Sequence, residues 1–338
     1  MGNQFLVSVG ALTLLSLAAA GQAPTVVAKA KSAPAAKVWT APRTADGQPD
    51  LEGIWTNATL TPLERPRDLA GKEFLTEQEA AAREKRLREE LSTDRRDGGA
   101  EADVGRSYNE LWRERGKVLQ RTSLIIDPSD GRLPPLTPDG QKRAAERAED
   151  RRRRGPDPAD SWLDRNLAER CLTRGAPKLP GGYNNNFQII QSRGFVMIMQ
   201  EMIHEARIIP LDGRPHVDPN IRLWMGDSRG HWEGDTLVVD TTNFNDKIIA
   251  NSFNCCPGSG SSLHVTERFH RVDANNIDYT YTVDDPATYT KPWTASVPLE
   301  KTNGPIYEYA CHEGNYALPD ILAGARAKEK AAAEAQKH

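Results

Sequence analysis

The chain has 338 residues, of which 38% are hydrophobic and 27% are charged, and its formal net charge is -3 at pH 7. This length is sufficient for one large hydrophobic core or two small ones. So small a charge imbalance argues against a general nucleic-acid or membrane-surface binder, because such proteins carry a clustered excess of Lys and Arg. We therefore predict that nucleic acid is not a partner.

Residues 1–20 are predicted to be a secretory signal peptide. An uncharged, mainly apolar run extends from Phe5 to Ala20 and ends in small residues, as a cleavage site requires. The run is shorter than the ~20 residues that cross a bilayer, and no basic stop-transfer cluster follows it. We expect cleavage after Ala20, a periplasmic or secreted mature protein, and no membrane insertion after cleavage.

A linker and a charged helical insertion follow the signal peptide. Residues 21–42 form a low-complexity stretch rich in Ala, Pro and Lys. Residues 43–160 are predicted to hold one N-terminal strand, within the alternating pattern of 51–62, and then helices.

Strong helix formers and charges at i,i+4 spacing predict the helices of this insertion. They are expected over 77–91, over 109–120 and from about Thr137 onward, with Pro138 in the first turn of the last one. Few apolar positions are available for a core, so these helices are predicted to cover the surface. The four arginines at 151–154 indicate a solvated helix end, in preference to a nucleic-acid patch.

Residues 161–322 are predicted to form an antiparallel β domain. Short apolar and polar alternations are separated by turn sequences such as Leu211-Asp212-Gly213 and Glu233-Gly234-Asp235. Strands are predicted over 187–191, 195–203, 205–211, 222–228, 230–234, 236–244, 264–272, 276–285, 293–301 and 306–313. The fold class is therefore mainly β with a helical insertion (α+β), as an antiparallel meander in a barrel-like or strongly bent sheet. A charged helical tail is expected over 323–338.

Four cysteines make a disulfide the default expectation in an exported protein. Cys171 and Cys311 flank most of the predicted β domain and form the expected pair. Closing so long a loop is worth roughly 4 to 5 kcal/mol in the loop-entropy treatment. Cys255 and Cys256 are adjacent in sequence, so a bond between them would strain the backbone, and their pairing stays open.

Two resemblances bear on the fold. Gly53-Ile54-Trp55 resembles the G-x-W opening of lipocalin-like calycin barrels. The motif at 226–244, GDSRGHWEGDTLVVDTTNF, together with 283–299 and 307–315, resembles an uncharacterised family of exported bacterial proteins. The resemblances imply a calycin-like barrel and export, and they imply no particular activity.

Histidines and one glutamate are the candidate catalytic residues. His204, His231 and His312 are predicted to be acid/base groups, because the unperturbed imidazole pKa of ~6.5 allows both roles near neutral pH. In a strand over 306–313, Glu308 and His312 would share one face of the sheet. We therefore expect these two side chains to act together, joined by a histidine from a neighbouring strand.

A second set of polar and aromatic side chains is predicted to bind the substrate. Indole and phenol rings supply contact area, while amides and guanidinium groups fix orientation. The predicted residues are Asn185, Arg222, Trp224, Asp227, Arg229 and Tyr307. The competing interpretation is that the Asn-rich and Asp-Ser-Arg-Gly sequences are simply turns.

No sequence motif marks a metal or cofactor. The histidines lack H-E-x-x-H spacing, and no second cysteine pair suggests zinc, so no cofactor is predicted and a divalent metal is only an alternative. G-x-S-x-G, P-loop and G-x-G-x-x-G motifs are absent too, which removes the usual support for a serine hydrolase, an NTPase or a dinucleotide enzyme.

These observations favour an enzyme that acts on a small organic substrate by cofactor-independent acid/base chemistry, of lyase, hydratase or isomerase type. The alternative is a periplasmic protein that binds or carries a small ligand without chemistry. The residues identify neither the substrate nor the oligomeric state.

Overall fold

An antiparallel sheet of 11 strands dominates the protein. The structure is a computed structural model that describes residues 39–106, 109–155, 158–247 and 258–337. The predicted signal peptide, most of the linker, Cys255 and Cys256 lie outside the described residues.

The strands follow one another in the chain as β1 to β11. They are β1 Gly53–Thr56, β2 Ile125–Asp127, β3 Asn186–Ser192, β4 Phe195–Gln200, β5 Glu205–Pro210, β6 Asp227–Glu233, β7 Thr236–Thr242, β8 His264–Arg271, β9 Asn276–Asp284, β10 Trp293–Ser296 and β11 Leu299–Lys301. Their hydrogen-bonded order is β5-β4-β3-β1-β11-β9-β8-β7-β6, and β10 joins β9 to β2. Because β5 and β6 also approach each other, the sheet is a nearly closed barrel, which confirms the predicted mainly β, barrel-like fold.

A glycine permits the approach of the two terminal strands. A Cβ atom at Gly230 of β6 would lie 2.7 Å from the Leu211 side chain and 2.9 Å from that of Ile209 in β5. Contacts that short are not tolerated between carbon atoms, so Gly230 lets the two edges of the sheet come together.

Alternating burial along the strands produces the core. Residues at every second position of β9, from Ile277 to Val283, point inward and are buried. Large aromatic side chains fill the interior: Trp55, Tyr281 and Trp293 are each at most 2% exposed. The barrel interior is therefore a packed core along most of its length.

Four α-helices complete the described structure. They are α1 Glu77–Leu91, α2 Gly99–Gly105, α3 Pro138–Arg154 and α4 Ala317–Ala335. The bounds of α1 match the prediction, and a capping box at Thr76 begins that helix. Thr137 caps α3 and Pro138 is its first residue, as the sequence predicts. In the described part of the chain, no helix is both long and apolar enough to cross a membrane.

The predicted helix over 109–120 is wrong. Only Glu110–Trp112 forms a short 3-10 turn there. The Lys117 carbonyl oxygen instead accepts the Leu60 N–H at 2.9 Å, and Thr59 and Lys117 form a parallel bridge. These tertiary backbone bonds take the groups that a helix would need, so the local helix propensity is overridden.

The predicted strand over 306–313 is also wrong, because this segment has irregular backbone without a ladder partner. The predicted disulfide is present, with Cys171 and Cys311 sulfurs 2.08 Å apart and Cα atoms 5.6 Å apart. The bridge attaches the segment to the loop before β3. Glu308 and His312 therefore do not share a strand face, which removes the geometric reason for pairing them.

Candidate functional site

A cleft of about 550 Å³ opens against the barrel, which is within the size range of small-molecule sites. Its lining comes from three stretches of chain: residues 59–63, residues 114–115, and the segment from Arg174 to Gly182 that leads into β3. The last stretch supplies the charged side chains nearest to the barrel interior.

Lys178 lies where the cleft meets the barrel interior, and only 4% of its surface is exposed. Its Nζ donates one long hydrogen bond, 3.4 Å to Asn185 Oδ1, and lies 5.5 Å from the centroid of the Phe187 ring. Within the described residues no carboxylate forms an ion pair with it. One long bond suits a neutral amine better than an ammonium group with three donors to satisfy.

Burial, with a smaller contribution from the positive charge of Arg174, lowers the pKa of Lys178 to about 7. The carboxylates of Glu114 and Glu201 oppose this shift without cancelling it. An amine with a pKa near 7 is present in both protonation states at neutral pH, which general acid/base catalysis requires.

Arg174 is the second cation of the cleft. Its side chain has no hydrogen bond or ion pair with any residue that the structure describes. Arg115, by contrast, has its guanidinium Nε 2.7 Å from Glu110 Oε1 and is already neutralised. The guanidinium of Arg174 is therefore the group in this cleft that is available to an anion.

The Asn-rich turn before β3 fixes the wall of the cleft. Glu114 accepts hydrogen bonds from the Asn184 N–H at 3.1 Å and from the Asn185 N–H at 2.8 Å. Asn185 Oδ1 accepts the Gly181 N–H at 2.7 Å as well as the Lys178 ammonium or amine. Asn185 thus lies at the cleft, where it serves both as a turn residue and as the partner of Lys178.

Glu205 has the second strongly shifted pKa in this region. Burial raises the pKa of its carboxyl group to about 7, although a hydrogen bond from the Thr173 hydroxyl favours the charged form. The backbone amide of Arg174 acts on this pKa in the same direction as Thr173. The segment from Thr173 to Lys178 therefore runs between an acid and an amine whose pKa values are both near neutral.

Behind Lys178 the barrel contains a buried ion pair. Arg207 Nη2 lies 2.9 Å from Glu267 Oε1, Arg207 Nη1 donates to the other carboxylate oxygen, and the Tyr279 hydroxyl donates to Oε1 at 2.7 Å. A cavity of about 10 Å³ lies among these groups and Lys178. That volume matches about one water molecule, so an organic ligand would occupy the cleft.

The predicted catalytic histidines lie away from the cleft lining. His204 is exposed after β4, with Nδ1 2.7 Å from the Tyr309 carbonyl oxygen. His231 is exposed on the outer face of β6, with Nε2 3.1 Å from Glu233 Oε1. His312 and Glu308 are exposed on the irregular segment after β11. His204 thus contacts the segment that carries Glu308 and His312, whereas His231 lies on a different element.

Among the predicted binding residues only Asn185 contacts the cleft lining, through its bonds with Lys178 and Gly181, and Asn185 itself is fully buried. Arg222 bonds the Ser261 carbonyl oxygen at 3.3 Å, Trp224 packs against the core, and the Tyr307 side chain is exposed. Asp227 and Arg229 form an ion pair of 2.8 Å at β6.

A histidine and aspartate array on the outer face of the barrel extends from Asp227. The ring nitrogens of His216 lie 2.9 Å from Asp227 Oδ2 and 2.8 Å from Asp240 Oδ2, and His264 bonds the other oxygen of Asp240. Sequence reasoning did not select His216 or Asp240. Within the described chain, no group of three or more His, Cys, Asp or Glu side chains is arranged to hold a metal ion.

The sequence interpretation also missed Lys178, Arg174 and Glu205. One available indication was the setting of Lys178, because a lysine in the apolar, proline-bounded stretch APKLP is unusual for an exposed side chain. Comparison of the chain with family models, curated proteins and solved structures finds no match in any of the three.

Proposed function

We propose that the protein is an exported enzyme that acts on a small organic substrate by cofactor-independent acid/base chemistry, with Lys178 as the acid/base group. The observation that carries the proposal is a buried lysine at the inner end of a ligand-sized cleft, without a carboxylate partner in the described chain. Lyase, hydratase and isomerase reactions all need one group that takes a proton from carbon or oxygen and returns it.

Two further features support this proposal. Glu205 lies outside the cleft lining, but its carboxyl group has a pKa of about 7 and contacts Thr173, the residue before Arg174. Arg174 offers an unneutralised guanidinium to the same cleft, which would orient an anionic substrate. His204, His231, His312 and Glu308 remain predictions as additional acid/base groups, and their positions outside the cleft lining give them no shared substrate.

Export stays part of the proposal. It is supported by the apolar run at 5–20 and by the Cys171–Cys311 disulfide, which is typical of oxidising compartments. We propose that the mature protein is periplasmic or secreted, and that the motif at 226–244 places it with the exported family it resembles.

The competing function is binding or carriage of a small ligand without chemistry. A lipocalin-type carrier holds its ligand inside the barrel, whereas here the cavity beside Arg207 measures only about 10 Å³. A carrier function would therefore also use the cleft, and turnover is what separates the two functions.

Exchange of carbon-bound hydrogen for deuterium tests the proposal directly. The mature protein is incubated in D2O with a panel of small hydroxy, oxo and unsaturated carboxylic acids, and proton NMR records both exchange and conversion. We expect at least one panel member to react, and Lys178→Met to slow that reaction by about a hundredfold or more.

Lys142→Met is the matched control, since Lys142 is exposed on α3 and this helix contributes no residue to the cleft lining. It should react at the wild-type rate. Exchange that persists in Lys178→Met would remove Lys178 from its role, and saturable binding without exchange of any panel member would establish the carrier instead.

A further inference from the structure

The geometry points to covalent capture of the substrate: we propose that Lys178 forms a Schiff base with the carbonyl group of a small 2-oxo acid whose carboxylate is held by Arg174. This inference rests on the function proposed above, because it names the substrate class of that same cleft. It requires a nucleophilic amine, a carboxylate receptor beside it, and room for both functional groups of one small molecule.

The amine is held for nucleophilic attack. The side-chain amides of Asn57 and Gln200 donate to the Lys178 and Gly175 carbonyl oxygens at 2.9 and 3.1 Å, which fixes the backbone on which the lysine stands. At the end of the side chain, Lys178 Nζ lies near the Phe187 ring and the side-chain amide oxygen of Asn185. A lysine amine becomes a nucleophile when it is desolvated or placed beside another cation, and Lys178 has both conditions.

The carboxylate receptor is Arg174, four residues earlier in the same loop. Its guanidinium lines the cleft and makes no ion pair within the described chain. A planar guanidinium binds a carboxylate through two parallel hydrogen bonds, and this geometry orients the rest of the ligand. The anion would also offset the repulsion between the two cations when the amine takes up a proton.

The chemistry balances without a cofactor. The Nζ lone pair adds to the carbonyl carbon while the carbonyl oxygen becomes a hydroxyl group by taking a proton. Loss of that oxygen as water leaves a carbon–nitrogen double bond. In its protonated form the imine can accept the electron pair of a C–H bond on the adjacent carbon, whose proton goes to solvent, and the product is an enamine. A proton from solvent returns to that carbon and regenerates the protonated imine, and addition of water to the imine carbon then releases the amine and the carbonyl compound.

Trapping with sodium cyanoborohydride tests the inference. The mature protein is incubated with pyruvate and the reductant, and intact-mass and peptide mass spectrometry locate any reduced adduct. We expect an adduct on the peptide that contains Lys178, its absence in Lys178→Met, and its retention in Lys142→Met. Hydroxyacetone, which has the same carbonyl group but no carboxylate, is the matched probe.

Arg174→Gln separates the two parts of the inference. It should reduce trapping of pyruvate about ten- to a hundredfold more than trapping of hydroxyacetone, because the charge-assisted bond pair is lost for pyruvate alone, whereas the loss of the neighbouring cation affects the amine toward both probes. Equal loss with both probes, or equal trapping of both probes by the wild type, would overturn the role of Arg174.

The same samples distinguish failure of this inference from failure of the proposed function. Hydrogen exchange that depends on Lys178, with no adduct from pyruvate, 2-oxobutanoate or 2-oxoglutarate, would overturn the Schiff base and leave acid/base catalysis standing. If the wild-type protein shows neither hydrogen exchange nor an adduct, both the Schiff base and the proposed acid/base function are overturned.

Discussion

Two buried cations line the same small cavity and have opposite surroundings. Arg207 is bound to both oxygens of Glu267, and Tyr279 donates to that carboxylate as well. Lys178 has one long hydrogen bond to an amide oxygen. Burial is nearly complete at both positions, with 6% of Arg207 and 4% of Lys178 exposed.

The difference shows how this barrel handles buried charge. Burial alone would lower the pKa of Arg207, but the Glu267 carboxylate outweighs it and holds that pKa above the usual value. Lys178 has no such partner among the residues that the structure describes, so burial and Arg174 lower its pKa to about 7. The Glu267 carboxylate keeps Arg207 charged and in a fixed position, whereas Lys178, without an ion-pair partner, can gain or lose a proton near neutral pH.

The largest effect is expected from breaking the paired charge. Glu267→Gln removes the negative charge and leaves Arg207 buried without compensation, so the free energy of unfolding should fall by about 3–5 kcal/mol. Urea unfolding followed by circular dichroism at pH 7 measures this. A loss below about 1 kcal/mol would show that Arg207 can be neutralised in another way and would break the comparison.

The matched control replaces both partners by apolar side chains of similar size. In the double variant Arg207→Met with Glu267→Leu no buried charge remains, and most of the lost stability should return. Only the Tyr279 hydroxyl, which now lacks its acceptor, should keep a residual cost of about 1–3 kcal/mol.

Removal of the unpaired charge should have the opposite sign. A lysine whose folded pKa is depressed contributes stability at pH values above its unfolded pKa of ~10.4. This contribution is lost as the pH falls through the folded pKa of about 7. Lys178→Met should therefore raise the free energy of unfolding by about 1–3 kcal/mol at pH 6, and the gain should disappear near pH 10.5. A variant that is less stable than the wild type at pH 6 would mean that Lys178 is a structural residue.

The sequence predicts the buried pair of Arg207 and Glu267 better than it predicts the buried Lys178. Period-two alternation places Glu267 on an inward position of β8 between Val265 and Phe269, so a buried carboxylate could have been inferred from the pattern. Most of the strands, α1 and the disulfide were predictable from local periodicity, capping residues and cysteine spacing, although the predicted strand over 306–313 is absent and only the last two residues of the one predicted over 222–228 are in a strand. The helix expected over 109–120 failed where tertiary backbone pairing with residues 59–61 overrides propensity.

The environment of Lys178 depends on contacts between distant parts of the chain. Lys178 and Arg174 lie in a loop without periodicity, and residues 59–63 and 114–115 complete their cleft from far away in sequence. The histidines, chosen for their intrinsic pKa, are exposed on separate elements. Lys178 could not be selected by chemical type, because burial and the lack of an ion-pair partner within the described chain produce its shifted pKa.

Glu205 sharpens the comparison as an acid that is raised by burial. A carboxyl group whose folded pKa is about 7 contributes stability below its unfolded value of ~4.3, and this contribution is lost as the pH rises through 7. Glu205→Gln should therefore match the wild type at pH 4 and exceed its free energy of unfolding by about 1–2 kcal/mol at pH 8. Equal stability at both pH values would show that water or Thr173 already satisfies the charged form.

The smallest effect is expected at the outer array, where charges are paired but exposed. The hydrogen bond that His264 donates to Asp240 raises the pKa of His264 above 6.5, against the opposing effect of burial. The stability that this gives is complete below the unfolded pKa of ~6.5 and is lost as the pH rises through the higher folded value, so it is present at pH 5.5 and decreases as the pH rises above 6.5. Because the side chain of His264 is 42% exposed, His264→Asn should lower stability by less than about 1 kcal/mol at pH 5.5 and by a smaller amount at pH 8.5. Thermal unfolding at the two pH values measures this difference. His231→Asn, which changes another exposed histidine on β6, is the control. A loss of stability as large as that of Glu267→Gln would show that exposure does not determine how much a charge pair stabilises this barrel.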